Sequence, residues 1–232
     1  MKNLILILFV IFTMGYSNDD DTYITINGCE LKPNANCPNV DLSNQTLRDL
    51  DLQNSNFEGA NFEGSNLDGT DFTKANLTKA NFKKANLRHS TLKQSNMFKA
   101  NLENANLARA DLRHTNLKVV TAFNANFDGI NGWALFGQGS KFDGATFHGA
   151  DLNFARMSGS SMKNCNLQAV NLEAAWMANV NFESSNFTNA NLQETKLSNS
   201  SLFKANLTGT RIHFANLADV FMEECINCPI NW

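Results

Sequence analysis

Large apolar side chains recur along this chain at every fifth residue. From Leu42 to Met222 the register offers 37 such positions, called centres here, and 34 of them are Leu, Phe, Met or Ile. The exceptions are Ala122, Gly132 and Gly137. Two residues before each centre the side chain is small, with Ala, Ser, Thr or Cys at 28 of the 37 positions, and one residue before it 24 of 37 are Asn or Asp. The two residues after each centre vary and are mostly polar, and the register does not slip. An α-helix cannot use this period, because five residues turn it by about 500° and leave successive centres about 140° apart. A continuous strand cannot use it either, since side chains alternate with period two and five is odd. The pattern predicts short extended pieces separated by corners. The centre and the small residue two before it both face inward, and the two variable residues turn the corner toward water. A chain built this way coils on itself, each coil hydrogen-bonding to the next about 4.8 Å away. The Asn/Asp slot fits residues that tolerate tight backbone geometry and stack as ladders.

The stretches Ala75-Asn76-Leu77-Thr78-Lys79 and Ala100-Asn101-Leu102-Glu103-Asn104 resemble the A(D/N)LXX unit of the pentapeptide-repeat family. The likeness covers roughly residues 35–222. It implies an all-β fold, a right-handed quadrilateral β-helix with four repeats per coil and about nine coils. At one strand spacing per coil this is a rod on the order of 45 Å long.

The ends depart from the pattern. Residues 1–17 read as a secretory signal peptide, with Lys2 at the start, an apolar run from Leu4 to Met14 and the small residues Gly15 and Ser17 before a cleavage point. That run is too short for a membrane span, so none is expected after cleavage, and the protein is expected outside the cytoplasm, secreted or periplasmic. Residues 18–38 form an N-terminal cap in which Tyr23-Ile24-Thr25-Ile26 alternates like a strand. Repeats occupy 39–222, and 223–232 form a C-terminal cap with Trp232 as its apolar plug. A stacked solenoid needs both ends covered.

Secretion changes the reading of the cysteines. Cys29, Cys37, Cys225 and Cys228 lie in the caps. A rod's length between the caps favours the pairs Cys29–Cys37 and Cys225–Cys228 as structural disulfides. The Cys225/Cys228 CxxC leaves open a thiol-disulfide redox protein, although that chemistry usually sits at a helix start. Cys165 falls on an inward small position, where a thiol behaves as a small hydrophobe.

Candidate chemistry is sparse. Four histidines (His89, His114, His148, His213) fall on different coils and in different columns, and neither a metal-ligand set nor a Ser-His-Asp set is visible. No glycine-rich phosphate loop follows an apolar strand, so the chain is read as non-enzymatic, without cofactor or metal. The formal net charge of −3 speaks against a nucleic-acid partner. Between Lys74 and Lys118, however, ten cations face only Glu103 and Asp111. Folded four repeats to a coil they form a belt around all sides, able to associate with an anionic surface.

The most informative departure lies in one Asn column. Positions twenty apart read Asn56, Asn76, Asn96, Asn116, then Phe136, Arg156, Trp176, Lys196, then Asn216. Aromatic and cationic residues alternate through four consecutive slots, and Phe154 and Phe214 lie in a neighbouring outward column. Rings with Arg mark interaction surfaces, so Phe136, Arg156, Trp176 and Lys196 are the candidate site for a protein partner. Residues 130–140, where Gly132 and Gly137 replace two centres, are expected to be irregular, with Trp133 or Phe136 turned inward or a small loop bulging out. The reading is a secreted scaffold that binds another macromolecule through its elongated surface. Its alternative is a DNA mimic that protects topoisomerases, as the family resemblance allows; a signal segment, a basic belt and a cysteine-bearing end all depart from that type.

Overall fold

The structure, a computed structural model, describes residues 23–229. The expected signal segment 1–17 and the Trp232 plug lie outside the described residues.

Each repeat closes with the same turn. In Phe57–Ala60 the Ala60 N–H donates to the Phe57 carbonyl at 3.0 Å, and Gly59 has φ +67°. Positive φ at the third turn residue alone is the type II pattern. Every position two after a centre, from Asn34 to Glu224, has positive φ, and nine of these are Gly and ten are Asn. The left-handed backbone therefore sits at the second corner residue, not at the Asn/Asp slot where the sequence places tight geometry. The slot has another job. Asn56 Oδ1 accepts the backbone N–H of Glu58 at 3.2 Å, and the same bond recurs along the chain, as at Asn76 with Thr78. These are Asx turns that start the corner wherever Asn or Asp fills the slot.

The coils stack in parallel, with bridges twenty residues apart from Asn36↔Asn56 to Asn206↔Ile226. Twenty residues are four repeats, so the molecule is a right-handed quadrilateral β-helix of about nine coils, the fold the sequence led one to expect. Its four faces are named by their outward slots: face 1 carries Asn36 and its stack, face 2 Asp41, face 3 Thr46 and face 4 Asp51. Each coil is sewn to the next in both directions, as in Phe57 N–H to Asn76 O (2.8 Å) and Asn56 N–H to Ala35 O (2.8 Å). The axis is dry. Nearly every centre is fully buried, and Phe62 and Phe82, one coil apart, stack with centroids at 4.9 Å. Burying such side chains contributes about 1.5–3 kcal/mol each.

Small wall residues do more than fit. Ser185 Oγ donates to the Met162 carbonyl at 2.6 Å and accepts the Cys165 N–H at 3.0 Å. Thr70, Thr115, Ser140, Thr195 and Ser200 likewise donate to a carbonyl 23 residues earlier. Cys165 follows the rule, its Sγ 3.1 Å from the Phe142 carbonyl.

Residues 130–140 correct the sequence reading. The turns and bridges continue through them without a bulge. Neither Trp133 nor Phe136 turns inward; Trp133 remains 39% exposed. The missing bulk comes from the wall position instead. Val120, Ile130 and Leu135 stand two before Ala122, Gly132 and Gly137, and each is buried at 1% exposure. A Cβ on Gly132 would lie 2.5 Å from Leu135 Cδ2, so Leu135 occupies the space a centre side chain would take.

At the first end a hairpin closes the axis. Strands β1 (Ile24–Ile26) and β2 (Cys29–Leu31) pair antiparallel. Asn27 and Gly28 between them both have positive φ, the type I′ geometry of a two-residue hairpin. Leu31 is buried at the top of the core and Asn27 Nδ2 donates to Asp41 O at 2.6 Å. Cys29 is disulfide-bonded to Cys37, with Cα atoms 5.6 Å apart. At the other end Cys225 is bonded to Cys228 (Cα–Cα 5.7 Å) on the last coil, beside half-buried Ile212, Leu217 and Met222.

Candidate interaction face

Face 1 begins as an amide ladder. Asn56 Nδ2 donates to Asn36 Oδ1 at 2.8 Å, Asn76 to Asn56 at 3.0 Å, and Asn116 to Asn96 at 2.8 Å. Four coils then carry Phe136, Arg156, Trp176 and Lys196 in the same slot, joined by parallel bridges. The structure brings these four together as one stack. The Arg156 guanidinium lies 5.6 Å from the Phe136 ring and 5.7 Å from the Trp176 ring, and Lys196 Nζ lies 4.2 Å from Trp176. Lys118 extends the series, 5.5 Å from Phe136.

The sequence reading placed Lys118 only in the basic belt. Its membership of the stack could be found by placing the residue after a centre beside the slot one coil later. The aromatic corner leading into face 1 was also missed as a unit. Trp133 packs edge-on against His114 (4.8 Å) and Phe154 (5.9 Å). Phe154 and Trp176 are each 49% exposed, so rings and cations form one continuous outward surface over corner and face. Phe214, in the same corner column, is 73% exposed and lies three coils further on.

Magnitudes bear on what this surface is for. An exposed cation–π contact contributes about 0.5–1 kcal/mol. A hydrogen bond of the displaced Asn ladder contributes a similar net amount, about 0.5–1.5 kcal/mol. Exchanging four Asn for this stack therefore gains the rod no clear stability.

The ten belt cations lie at turns on all four corners. Some are neutralised: Lys83 pairs with Glu103 at 3.0 Å and Arg113 with Asp111 at 2.6 Å. Burial works to raise the Asp111 carboxyl, but the hydrogen bonds from the Arg113 side chain and backbone outweigh it and hold the group below its usual range. A shallow cavity of about 420 Å³ opens at the corner after face 3 among Arg88, Arg109 and His148, with Asp128 beside them.

Candidate chemistry elsewhere stays scattered. Among the described residues, no group of three or more His, Cys, Asp or Glu is placed to hold a metal ion. The Cys225–Cys228 pair lies on a β-coil, so no helix N-terminus is at hand to lower a thiol pKa. Burial pushes the Cys165 thiol up to about 12, which leaves it protonated at neutral pH. No helix of the described residues is long and apolar enough to cross a membrane.

No curated protein is detectably similar to the chain. Among solved structures, HetL of Nostoc sp. strain PCC 7120, a pentapeptide repeat protein involved in heterocyst differentiation regulation, is 21% identical, covering 81% of this chain and 89% of its own at a TM-score of 0.38. A pentapeptide repeat protein of the Arabidopsis thaliana thylakoid lumen is 35% identical over 41% of this chain and 67% of its own, with a TM-score of 0.40. QnrB1, a plasmid-mediated fluoroquinolone resistance protein, is 17% identical over 83% and 90%, with a TM-score of 0.38. The sequence profile described as pentapeptide repeats matches in eight copies, over residues 34–64, 55–94, 95–131, 138–168 and 165–202. The stretch it passes over, 132–137, is the one whose two centres are glycine. With well over half its length matched, and with those repeats wound four to a coil, the chain belongs to the pentapeptide-repeat family.

Proposed function

We propose that this pentapeptide-repeat scaffold is non-enzymatic, is secreted or periplasmic, and binds a protein partner through face 1 at Phe136, Arg156, Trp176 and Lys196. One observation carries the reading: four consecutive slots of the face 1 Asn column give way to outward rings and cations at no gain in stability, on a rod whose other slots are mostly Asn, Asp, Ser or Thr. Export is supported by the signal-like residues 1–17 and by two cysteine pairs at disulfide distance, which suit an oxidising compartment. The test is capture from the native envelope fraction with the mature protein and with its Arg156→Asn/Trp176→Asn variant. The proposal expects a partner retained by the first and lost by the second. A variant that loses stability yet keeps its partners contradicts it.

A further inference from the structure

Following face 1 and the corner that leaves it from Asn96 to Asn199, every outward residue is neutral or cationic. The slot and corner positions read Asn96, Phe98, Lys99, then Asn116, Lys118, Val119, and so on through Phe136, Arg156, Trp176 and Lys196, without one Asp or Glu. Four cations lie on this strip. Lys99 lies 5.1 Å from the Phe98 ring, and Lys118, Arg156 and Lys196 lie over Phe136 and Trp176. Among the described residues the ion pairs of the rod form elsewhere, for example Lys163 with Glu183 at 2.9 Å and Lys83 with Glu103 at 3.0 Å. Rings thus position these cations without neutralising them.

The strip is also narrow. The corner after face 2 carries Glu103, Asp143 and Glu183, and the corner leading into face 1 carries Glu173 and Glu194. A nucleic-acid duplex or a membrane surface laid across face 1 would meet Glu173 and Glu194 at its leading corner, and one laid across face 2 would meet the other three. A single extended chain along the rod axis would not. The slot cations repeat every second coil, about 9.6 Å at one strand spacing per coil. In a polyproline-like peptide, acidic residues three apart repeat at about 9.3 Å. The exposed Trp176, Trp133 and Phe154 offer that peptide apolar contacts of the kind that dominate protein interfaces.

Building on the proposal that face 1 is a partner site, we infer that its partner is an acidic, extended protein segment that lies along the rod and places carboxylates against Lys118, Arg156 and Lys196. Such binding is electrostatically steered and weakens with salt.

The experiment titrates the mature protein with a 12-residue peptide carrying Glu at every third position, following tryptophan fluorescence and polarisation at low and physiological salt. Controls are the same peptide with Gln for Glu, a polyuronate oligosaccharide and a single-stranded oligonucleotide. The inference expects saturable binding of the Glu peptide alone, at least tenfold weaker in Lys118→Gln/Arg156→Gln/Lys196→Gln and unchanged in Lys163→Gln. Circular dichroism of the triple variant checks that the rod is intact. Equal binding of the Gln peptide, tighter binding of the polyuronate or oligonucleotide, undiminished binding by the triple variant, or no peptide binding each overturns it. Parallel capture from the envelope fraction separates the two levels. Loss of the native partner in the triple variant, without peptide binding, leaves the face 1 site standing and rejects only the acidic segment. Retention of that partner rejects the site.

Discussion

At the residue scale the fold depends on a few positions whose roles differ inside one repeat. Val119 occupies the left-handed corner position at φ +60°, where a β-branched side chain is strained. Val119→Asn is expected to raise stability by about 1 kcal/mol in denaturant unfolding. Buried hydroxyls divide in the same way. Ser185 bonds in two directions, whereas Ser95 Oγ is buried without a partner. Ser185→Ala should therefore cost about 1 kcal/mol and Ser95→Ala almost nothing. Cys165 gives a pH dependence with a fixed sign. Its folded thiol holds its proton to about 12, against 9.0 for an ordinary cysteine, so above pH 9 the unfolded chain releases a proton that the folded rod retains. Stability falls as pH rises through that window, by up to about 4 kcal/mol from this group. Comparing urea midpoints of wild type and Cys165→Ser from pH 7 to 11 checks it: the two curves should diverge only above pH 9. The centres and small wall residues were legible in the sequence because they obey a local period. The hydroxyl bonds were not, because their acceptors lie 23 residues away and appear only once the number of repeats per coil is known.

At the scale of the element, the coil through 122–137 shows that the rod conserves core volume rather than residue position. Leu135→Ala should cost about 2–5 kcal/mol through the cavity it opens. Gly132→Leu alone should also destabilise, since its side chain meets Leu135 and Leu152. Combined with Leu135→Ala, the Gly132 substitution should recover part of the loss, a coupling that a double-mutant cycle measures directly. The sequence signalled the glycines but not the compensation, because Val120, Ile130 and Leu135 look like isolated exceptions until their side chains are seen to share one axis. The hairpin shows another gap: the sequence reading found the strand at Tyr23-Ile24-Thr25-Ile26 but not its partner, although Asn27-Gly28 after it is a local turn signal. Selective loss of the Cys29–Cys37 bond, by Cys29→Ser/Cys37→Ser, should lower stability by about 2–3 kcal/mol. Hydrogen exchange should place that loss in β1, β2 and the first coil.

At the scale of the whole molecule, a solenoid offers four long faces and little else, so its function is written as departures from its own repeat. Three faces keep Asn, Asp, Ser or Thr in their slots over most of their length, and face 1 alone exchanges four in succession for rings and cations. This departure was visible in the sequence once it was folded at twenty residues per coil. Its extent was visible only in part: Phe154 stood out in a neighbouring outward column, whereas Lys118 and Trp133 join the patch from corner positions that the slot column does not show. The most direct test restores the ladder with Phe136→Asn/Arg156→Asn/Trp176→Asn/Lys196→Asn. The account predicts an intact β-rich spectrum and a melting temperature within about 4 °C of wild type, since the exchanged terms are each about 1 kcal/mol, together with complete loss of the partner captured by wild type. A melting temperature lowered by more than about 10 °C with the partner still bound would show that the stack holds the rod together and does not recognise anything.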